Sequence, residues 1–384
     1  MKQRLFKWGI FLVAAGGLLL LAAYYPLLQT RLSWLQARPL AGAFTLTEAP
    51  QLSVPAWFSG DFQQQTAQAL KENPEIRPLF VRLKNEWLFR IFHAESHPVL
   101  EIGRRGYLFD KTYIHAALGL DYQGDAFIEQ QVQQLSRLHA YLQQRGKQLL
   151  LLMPPPKAAH IPENLPAAYA AFEPGLSNRR ALAAACRQQQ IPFMDFSFLR
   201  KLEKQQGWPM YPPTGLHWSH YGATLAADSM TRYMEQLLHI RMPRMQVDSL
   251  LITNEIRPPD NEFGELLNLL RPYPYDSLAY PLLSFHTDSA TTRPRVLILG
   301  DSYYRLLYDL GFQQQLFHPA SRYWHYFEQH ISPEHEGGAS IDKSPAALQR
   351  VLEDTDLVLY VASATNLHRM GFGFTEAVLE WAGE

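Results

Sequence analysis

Short, wholly apolar runs set between amphipathic helices constrain this chain more than any other feature. Gln148-Leu-Leu-Leu-Leu-Met153 is stopped by Pro154-Pro-Pro156, Val296-Leu-Ile-Leu299 halts at Gly300, and Ile191–Asp195 and Thr355–Val361 supply two more. Such runs, bounded by turn formers, read as strands buried on both faces. Between them, Phe127–Arg145 carries Val132, Leu135, Leu138 and Leu142 at helical spacing, with glutamines on its other sides. Asn178–Gln189 and Tyr221–His239 are further helices, and Arg77–Phe92 is an earlier one. Strands alternating with helices of this length require right-handed crossovers. The expected fold is α/β: a doubly wound, mostly parallel sheet flanked by helices. Reactive groups in such sheets gather at the carboxyl ends of the strands.

The N-terminus carries a different signal. Lys2, Arg4 and Lys7 precede a nearly uncharged stretch, Trp8–Leu28, long enough to cross a bilayer as one helix. Basic residues on its leading side predict a cytoplasmic N-terminus and an exported remainder. A cleaved signal peptide is the competing reading, but apolar character continues past Leu21-Ala-Ala23 through Tyr24, Tyr25 and Leu28, which favours retention. The expected organisation is a membrane anchor over 1–30, a proline-containing tether over 31–53 and an exported domain over 54–384. The formal net charge of −1, with no basic run beyond the N-terminus, argues against nucleic acid as a partner. A lone cysteine, Cys186, excludes an internal disulfide and a cysteine-rich zinc site.

The strand Val296–Leu299 leads through Gly300 and Asp301 into Ser302, and Tyr303–Leu310 continues as a helix-compatible run. A serine at a strand-to-helix turn lies beside backbone N–H groups that can receive developing negative charge. Gly-Asp-Ser is also an ordinary tight turn, so the reading depends on a partner base. Of the histidines, His217 has the most suitable setting. It lies in Tyr211-Pro-Pro-Thr-Gly-Leu-His-Trp-Ser-His-Tyr-Gly-Ala223, a Pro- and Gly-rich loop that opens into a helix, with Trp218 beside it to screen the site from water. His217-x-x-His220 permits a metal pair, but no third ligand is evident, so neither a metal nor a cofactor is expected.

Taken together, these segments resemble a known group. Met153-Pro-Pro-Pro-Lys157 with Pro162–Pro166, then Gly215–Gly222, then Leu299-Gly-Asp-Ser302, are similar in type and order to the SGNH-hydrolase-like domains of bacterial alginate and related polysaccharide O-acetyltransferases, the AlgJ/AlgX type. Trp57–Gly60, Arg77, Gly106–Phe109 and Asp260-Asn-Glu-Phe-Gly-Glu-Leu-Leu267 extend the resemblance over roughly residues 55 to 365. It implies an SGNH-like fold in which Ser302 carries the acyl group and His217 is its general base. It also implies a polysaccharide acceptor, a separate multispanning membrane acyltransferase as acyl donor, and a periplasmic domain tethered to the inner membrane. Asp301, Tyr303, Trp218 and Lys157 are the supporting candidates.

One position departs from the pattern. The family places an aspartate two residues before the histidine, and here that position is Gly215. The expected triad acid is thus missing, which leaves three readings: a Ser–His dyad, an acid supplied from elsewhere, or a domain that has lost catalysis and instead binds glycan or scaffolds the acetylation machinery. An esterase would need the same Ser302 and His217.

Overall fold

The computed structural model describes residues 17, 31, 40–41, 52–65, 77–94, 97–273 and 276–383. The expected anchor helix Trp8–Leu28 lies outside these apart from residue 17; among the described residues no helix is long and apolar enough to cross a membrane. The chain divides into two compact units, one formed by 1–98 with 264–274 and the other by 99–263 with 275–384.

In the smaller unit, helix α1 (Arg77–Phe92) is held to the segment 267–273. Asn85 Nδ2 donates to Leu267 O at 2.9 Å, Arg82 Nη1 donates to Leu269 O at 3.0 Å, and the Phe89 and Tyr273 rings lie 5.3 Å apart.

The larger unit opens with an antiparallel pair, β1 (Leu100–Ile102) and β2 (Leu108–Asp110), then α2 (Lys111–Leu118) and α3 (Asp125–Gln143). It continues through β3 (Gln148–Met153), α4 (Asn178–Gln188), β4 (Phe193–Asp195) and α5 (His220–Leu238). Next come β5 (Arg244–Thr253), α6 (Glu262–Leu266, whose last residues pass into the other unit), β6 (Leu278–His286), β7 (Val296–Gly300) and α7 (Ser302–Asp309). The last elements are β8 (Arg322–His325), β9 (Gln329–Ser332), β10 (His335–Ser340), α8 (Pro345–Glu353), β11 (Leu357–Val361) and α9 (Phe374–Ala382).

The main sheet runs β10-β9-β8-β7-β11-β3-β4. β8, β7, β11, β3 and β4 are parallel, and β7 and β11 are in register from Val296↔Leu357 to Gly300↔Val361. Alternate residues of the central strands enter opposite cores. Leu150, Ile298 and Leu359 meet α5 and α7, while Leu151, Leu297 and Tyr360 meet α3, α4, α8 and α9. That two-sided burial explains why these strands read as continuous apolar runs.

The sheet is mixed rather than simply parallel, because β9 and β10 add antiparallel strands at the β8 edge. β8 and β9 are joined through Tyr326 and Phe327, both with left-handed φ (54° and 57°). Apolar-run reasoning misses these short strands, in which polar and apolar residues intermix. It also misses the long β5–β6 pair, which carries a bulge between Val247 and Ser249. Cys186 is buried in the α3/α4 core, where desolvation raises its thiol pKa to about 12.

Candidate active site

Ser302 opens α7 directly after the central strand β7. Gly300 is required by proximity: a Cβ there would lie 2.9 Å from Tyr304 Cβ. Asp301, the helix N-cap, is fully buried, and its carboxylate is committed to holding the turn. Oδ1 accepts from Tyr303 N–H at 3.0 Å, while Oδ2 accepts from Ser363 N–H at 2.7 Å and Asn366 Nδ2 at 2.9 Å. Asp301 thus ties the carboxyl ends of β7 and β11 together and makes no bond to His217. The helix start also offers less to an oxyanion than its position suggests. Tyr303 N–H is used by Asp301 Oδ1 and Tyr304 N–H by Asp301 O at 3.1 Å, so Ser302's own N–H is the donor those bonds leave.

His217 sits in the loop before α5, where Ser219 caps the helix by accepting from Gly222 N–H at 3.0 Å. Two ring contacts and one hydrogen bond from Tyr303 fix the loop. The Tyr303 ring lies 4.8 Å from the His217 ring and 5.4 Å from Trp218, both edge-on, and the Tyr303 hydroxyl donates to Leu216 O at 3.3 Å. Trp218 is completely buried between Phe196 and Tyr303, so it backs the Tyr303 ring that packs against the histidine. Tyr303 therefore contributes its side chain, a buried buttress whose hydroxyl pKa is driven far upward by desolvation.

These supports bring His217 Nε2 to 2.8 Å from Ser302 Oγ. Its Nδ1 lies 2.7 Å from Glu262 Oε1, and Glu262 Oε2 accepts from Leu216 N–H at 3.0 Å. Position 215 carries no acid, as expected, and a carboxylate reaches the imidazole from the first residue of α6, the arrangement of the reading in which the acid comes from elsewhere. Gly215 has no room for one. A Cβ there would lie 2.6 Å from Pro212 Cγ and 3.0 Å from Asp260 O. The Asp260–Phe263 turn fills that space, stitched to the loop by Thr214 Oγ1 donating to Asp260 O at 3.1 Å and Phe263 N–H donating to Thr214 O at 2.8 Å. A carboxylate facing Nδ1 selects the tautomer with a proton there, leaving the Nε2 lone pair to accept from Ser302. Sequence reasoning marked the segment Asp260–Leu267 without seeing that Glu262 would point back 45 residues along the chain.

Lys157 supports the same loop from below. It is buried, and its ammonium donates to Pro212 O at 3.1 Å, Pro213 O at 3.3 Å and Gly215 O. The rings of Tyr107, Phe109 and Phe263 surround it at 5.3 to 5.9 Å. Desolvation lowers its pKa to about 7, with the Glu262 carboxylate pulling the other way.

His220 turns from His217 to a different carboxylate, with Nδ1 3.0 Å from Asp260 Oδ2, so the two histidines do not share a ligand position. Burial raises the Asp260 pKa. Among the described residues no cluster of His, Cys, Asp and Glu could hold a metal ion; His325 and His330 lie on neighbouring strands β8 and β9, with His335 on β10. Sequence reasoning also missed Tyr326. Its hydroxyl pKa is raised by desolvation and by the Asp301 charge, while the polar Ser302 and Asn366 side chains nearby act in the other direction. Its backbone stays in the left-handed region, a strain that surrounding structure must hold in place.

Solved structures resemble the chain at low identity. The O-acetyltransferase domain of Pseudomonas putida AlgJ is 19% identical over 71% of this chain and 93% of that one, with a TM-score of 0.42. Pseudomonas aeruginosa AlgX is 16% identical over 72% of this chain and 66% of that one (TM-score 0.44), and Bacillus cereus PatB1 is 15% identical over 64% and 91% (TM-score 0.40). No curated protein matches the chain. The model of the ALGX family, described as SGNH hydrolase-like domain, acetyltransferase AlgX, matches residues 100–322, more than half of the chain and inclusive of Lys157, His217, Glu262 and Ser302; the chain belongs to that family.

Proposed function

We propose that the chain is a serine-dependent O-acyltransferase that moves an acetyl or similar acyl group onto hydroxyls of an exported polysaccharide. The observation that carries the proposal is the unbroken relay from Ser302 Oγ to His217 Nε2 and from His217 Nδ1 to Glu262. It supplies the acid whose absence motivated a non-catalytic reading.

In the proposed cycle Ser302 Oγ attacks the carbonyl carbon of the acyl donor as its proton passes to His217 Nε2. Glu262 holds Nδ1–H and stabilises the imidazolium. Ser302 N–H faces the oxyanion, and a donor of this kind is commonly worth about 3 kcal/mol. Collapse expels the donor's leaving group, which takes the proton from Nε2, and leaves an acyl ester on Ser302. An acceptor hydroxyl then gives its proton to Nε2, attacks the ester carbonyl, and the returning proton frees Ser302. The acyl donor is a multispanning membrane acyltransferase, and Trp8–Leu28 anchors the chain in the inner membrane with its larger part in the periplasm. Both elements rest on the sequence and the family resemblance.

The test is mass spectrometry of the chain after incubation with 4-nitrophenyl acetate and an oligosaccharide. One acetyl on Ser302, transferred to the sugar and absent from Ser302→Ala, is the expected result. An unmodified Ser302 together with undiminished transfer by Ser302→Ala would overturn the proposal.

A further inference from the structure

A second histidine with its own carboxylate stands just past His217, at the first position of α5. His220 Nδ1 lies 3.0 Å from Asp260 Oδ2, and Asp260 precedes Glu262 on the same turn. Neither side chain takes part in the proposed cycle. Asp260 is only 1% exposed, and the His220 ring packs edge-on against Tyr280 with centroids 4.9 Å apart, so the pair lies inside the fold. A carboxylate in this place is costly: desolvation raises its pKa, and His220 works against that rise. A buried imidazole–carboxylate pair is a weak source of stability, because desolvation offsets much of its attraction; what it can supply is one fixed arrangement of the segments it joins.

We propose that Asp260 and His220 are positioning residues, whose bond sets the Asp260–Phe263 turn so that Glu262 meets His217 Nδ1. The inference rests on the acyltransferase reading and adds to it how the acid is delivered. Glu262 has a long, flexible side chain, 26% exposed, yet both its oxygens must land correctly. Oε1 lies 2.7 Å from His217 Nδ1, and Oε2 accepts from Leu216 N–H at 3.0 Å. Their place depends on the backbone beneath. Bonds within the turn, from Asp260 N–H to Arg257 O at 2.9 Å and from Glu262 N–H to Pro259 O at 3.1 Å, shape it without locating it against the histidine loop.

Location comes from ties on both sides of His217. On the side before it, Thr214 Oγ1 donates to Asp260 O at 3.1 Å and Thr214 O accepts from Phe263 N–H at 2.8 Å. On the side after it, His220 holds Asp260 Oδ2. With the Thr214 bonds alone the turn is fixed at one end and can pivot; with His220 it is fixed at two, and Glu262 is aimed. The same bond keeps the Asp260 carboxylate on His220, where it does not compete with Glu262 for His217 Nδ1. A misplacement of about 1 Å can cost about 10²-fold in rate even from a residue far from the chemistry. Loosening this pair should therefore show in kcat although neither residue touches substrate.

The test uses the full chain and variants of His220. His220→Phe keeps a ring against Tyr280 but has no donor. His220→Gln carries its donor one bond too far out, and its polarity guards against a His220→Phe that fails to fold. His220→Asn puts an amide N–H where Nδ1 stands. The first two should lower the burst rate constant with 4-nitrophenyl acetate about 10- to 100-fold at unchanged KM, and His220→Asn should recover most of it. The second readout is the magnetic-resonance signal of His217 Nδ1–H in chain carrying isotope-labelled histidine, assigned by its loss in His217→Gln. It should move or broaden in His220→Phe and His220→Gln and stay in place in His220→Asn. A signal unmoved in folded His220→Phe or His220→Gln, a rate loss matched by the loss of folded protein, or a His220→Asn as slow as His220→Phe overturns the proposal. A parent that gives no burst yet shows these signal changes counts against the acyltransferase reading and for the positioning role, so the two failures are distinguishable.

Discussion

Replacing Glu262 by glutamine removes a charge and one acceptor with almost no change of shape. Both carboxylate oxygens are in use, Oε1 by His217 Nδ1 and Oε2 by Leu216 N–H. A glutamine has one oxygen for these two places. If its NH₂ faced Leu216, two donors would oppose each other in a half-buried site, at about 1–3 kcal/mol. The imidazole can instead switch tautomer, so the amide oxygen stays with Leu216 and the NH₂ faces Nδ1. Nε2 then carries the proton and points it at Ser302 Oγ, where it cannot serve as a base. The same tautomer error in a serine triad costs about 10⁴ in kcat, or about 5 kcal/mol of barrier. The assay is the stopped-flow burst of nitrophenol from 4-nitrophenyl acetate, with Ser302→Ala as the floor. Glu262→Gln should fall near that floor with its folded signature intact. Introducing Gly215→Asp alongside it should not restore the burst, because Pro212 and the Asp260 backbone occupy the space needed. A burst within about 10-fold of the parent, or rescue by Gly215→Asp, would refute the assignment of Glu262 as the orienting acid.

Lys157→Met should alter how stability depends on pH. With the folded pKa lowered from 10.5 to about 7, the unfolded chain retains a proton through that window that the folded chain has released, so stability rises with pH across it. Denaturant midpoints should show the parent gaining on Lys157→Met by on the order of 4 kcal/mol between pH 7 and 10; a difference flat with pH would contradict it. The proposed anchor predicts that the full chain sediments with membranes and withstands alkaline washing, whereas a chain lacking residues 1–30 is released; release of the full chain by that wash would remove the anchor from the proposal.

Two parts of the protein were readable to different depths. The central strands, the helices on either side and the place of Ser302 follow from local pattern. Residues buried on both faces must be apolar throughout, helices covering them must be amphipathic, and a strand-to-helix turn must end the run at Gly300. Even the N-terminal end of α5, close behind His217, was visible from the Pro- and Gly-rich loop that opens into it. The added strands β9 and β10 and the β5–β6 pair were not, because strands that mix polar and apolar residues carry little period of their own. The largest gap was at Gly215. Read along the chain, a glycine in place of an aspartate leaves a dyad, an acid from elsewhere and a lost activity equally open. In three dimensions that glycine is what lets the Asp260–Phe263 turn pack against the histidine loop and deliver Glu262 to Nδ1. Sequence alone determined that a serine stands at a strand-to-helix turn, and a histidine in a loop before a helix, of an α/β fold. Only tertiary structure decided which carboxylate orients the histidine, since a hydrogen bond between residues 217 and 262 depends on how a loop and a turn pack, and neither segment's local pattern encodes it.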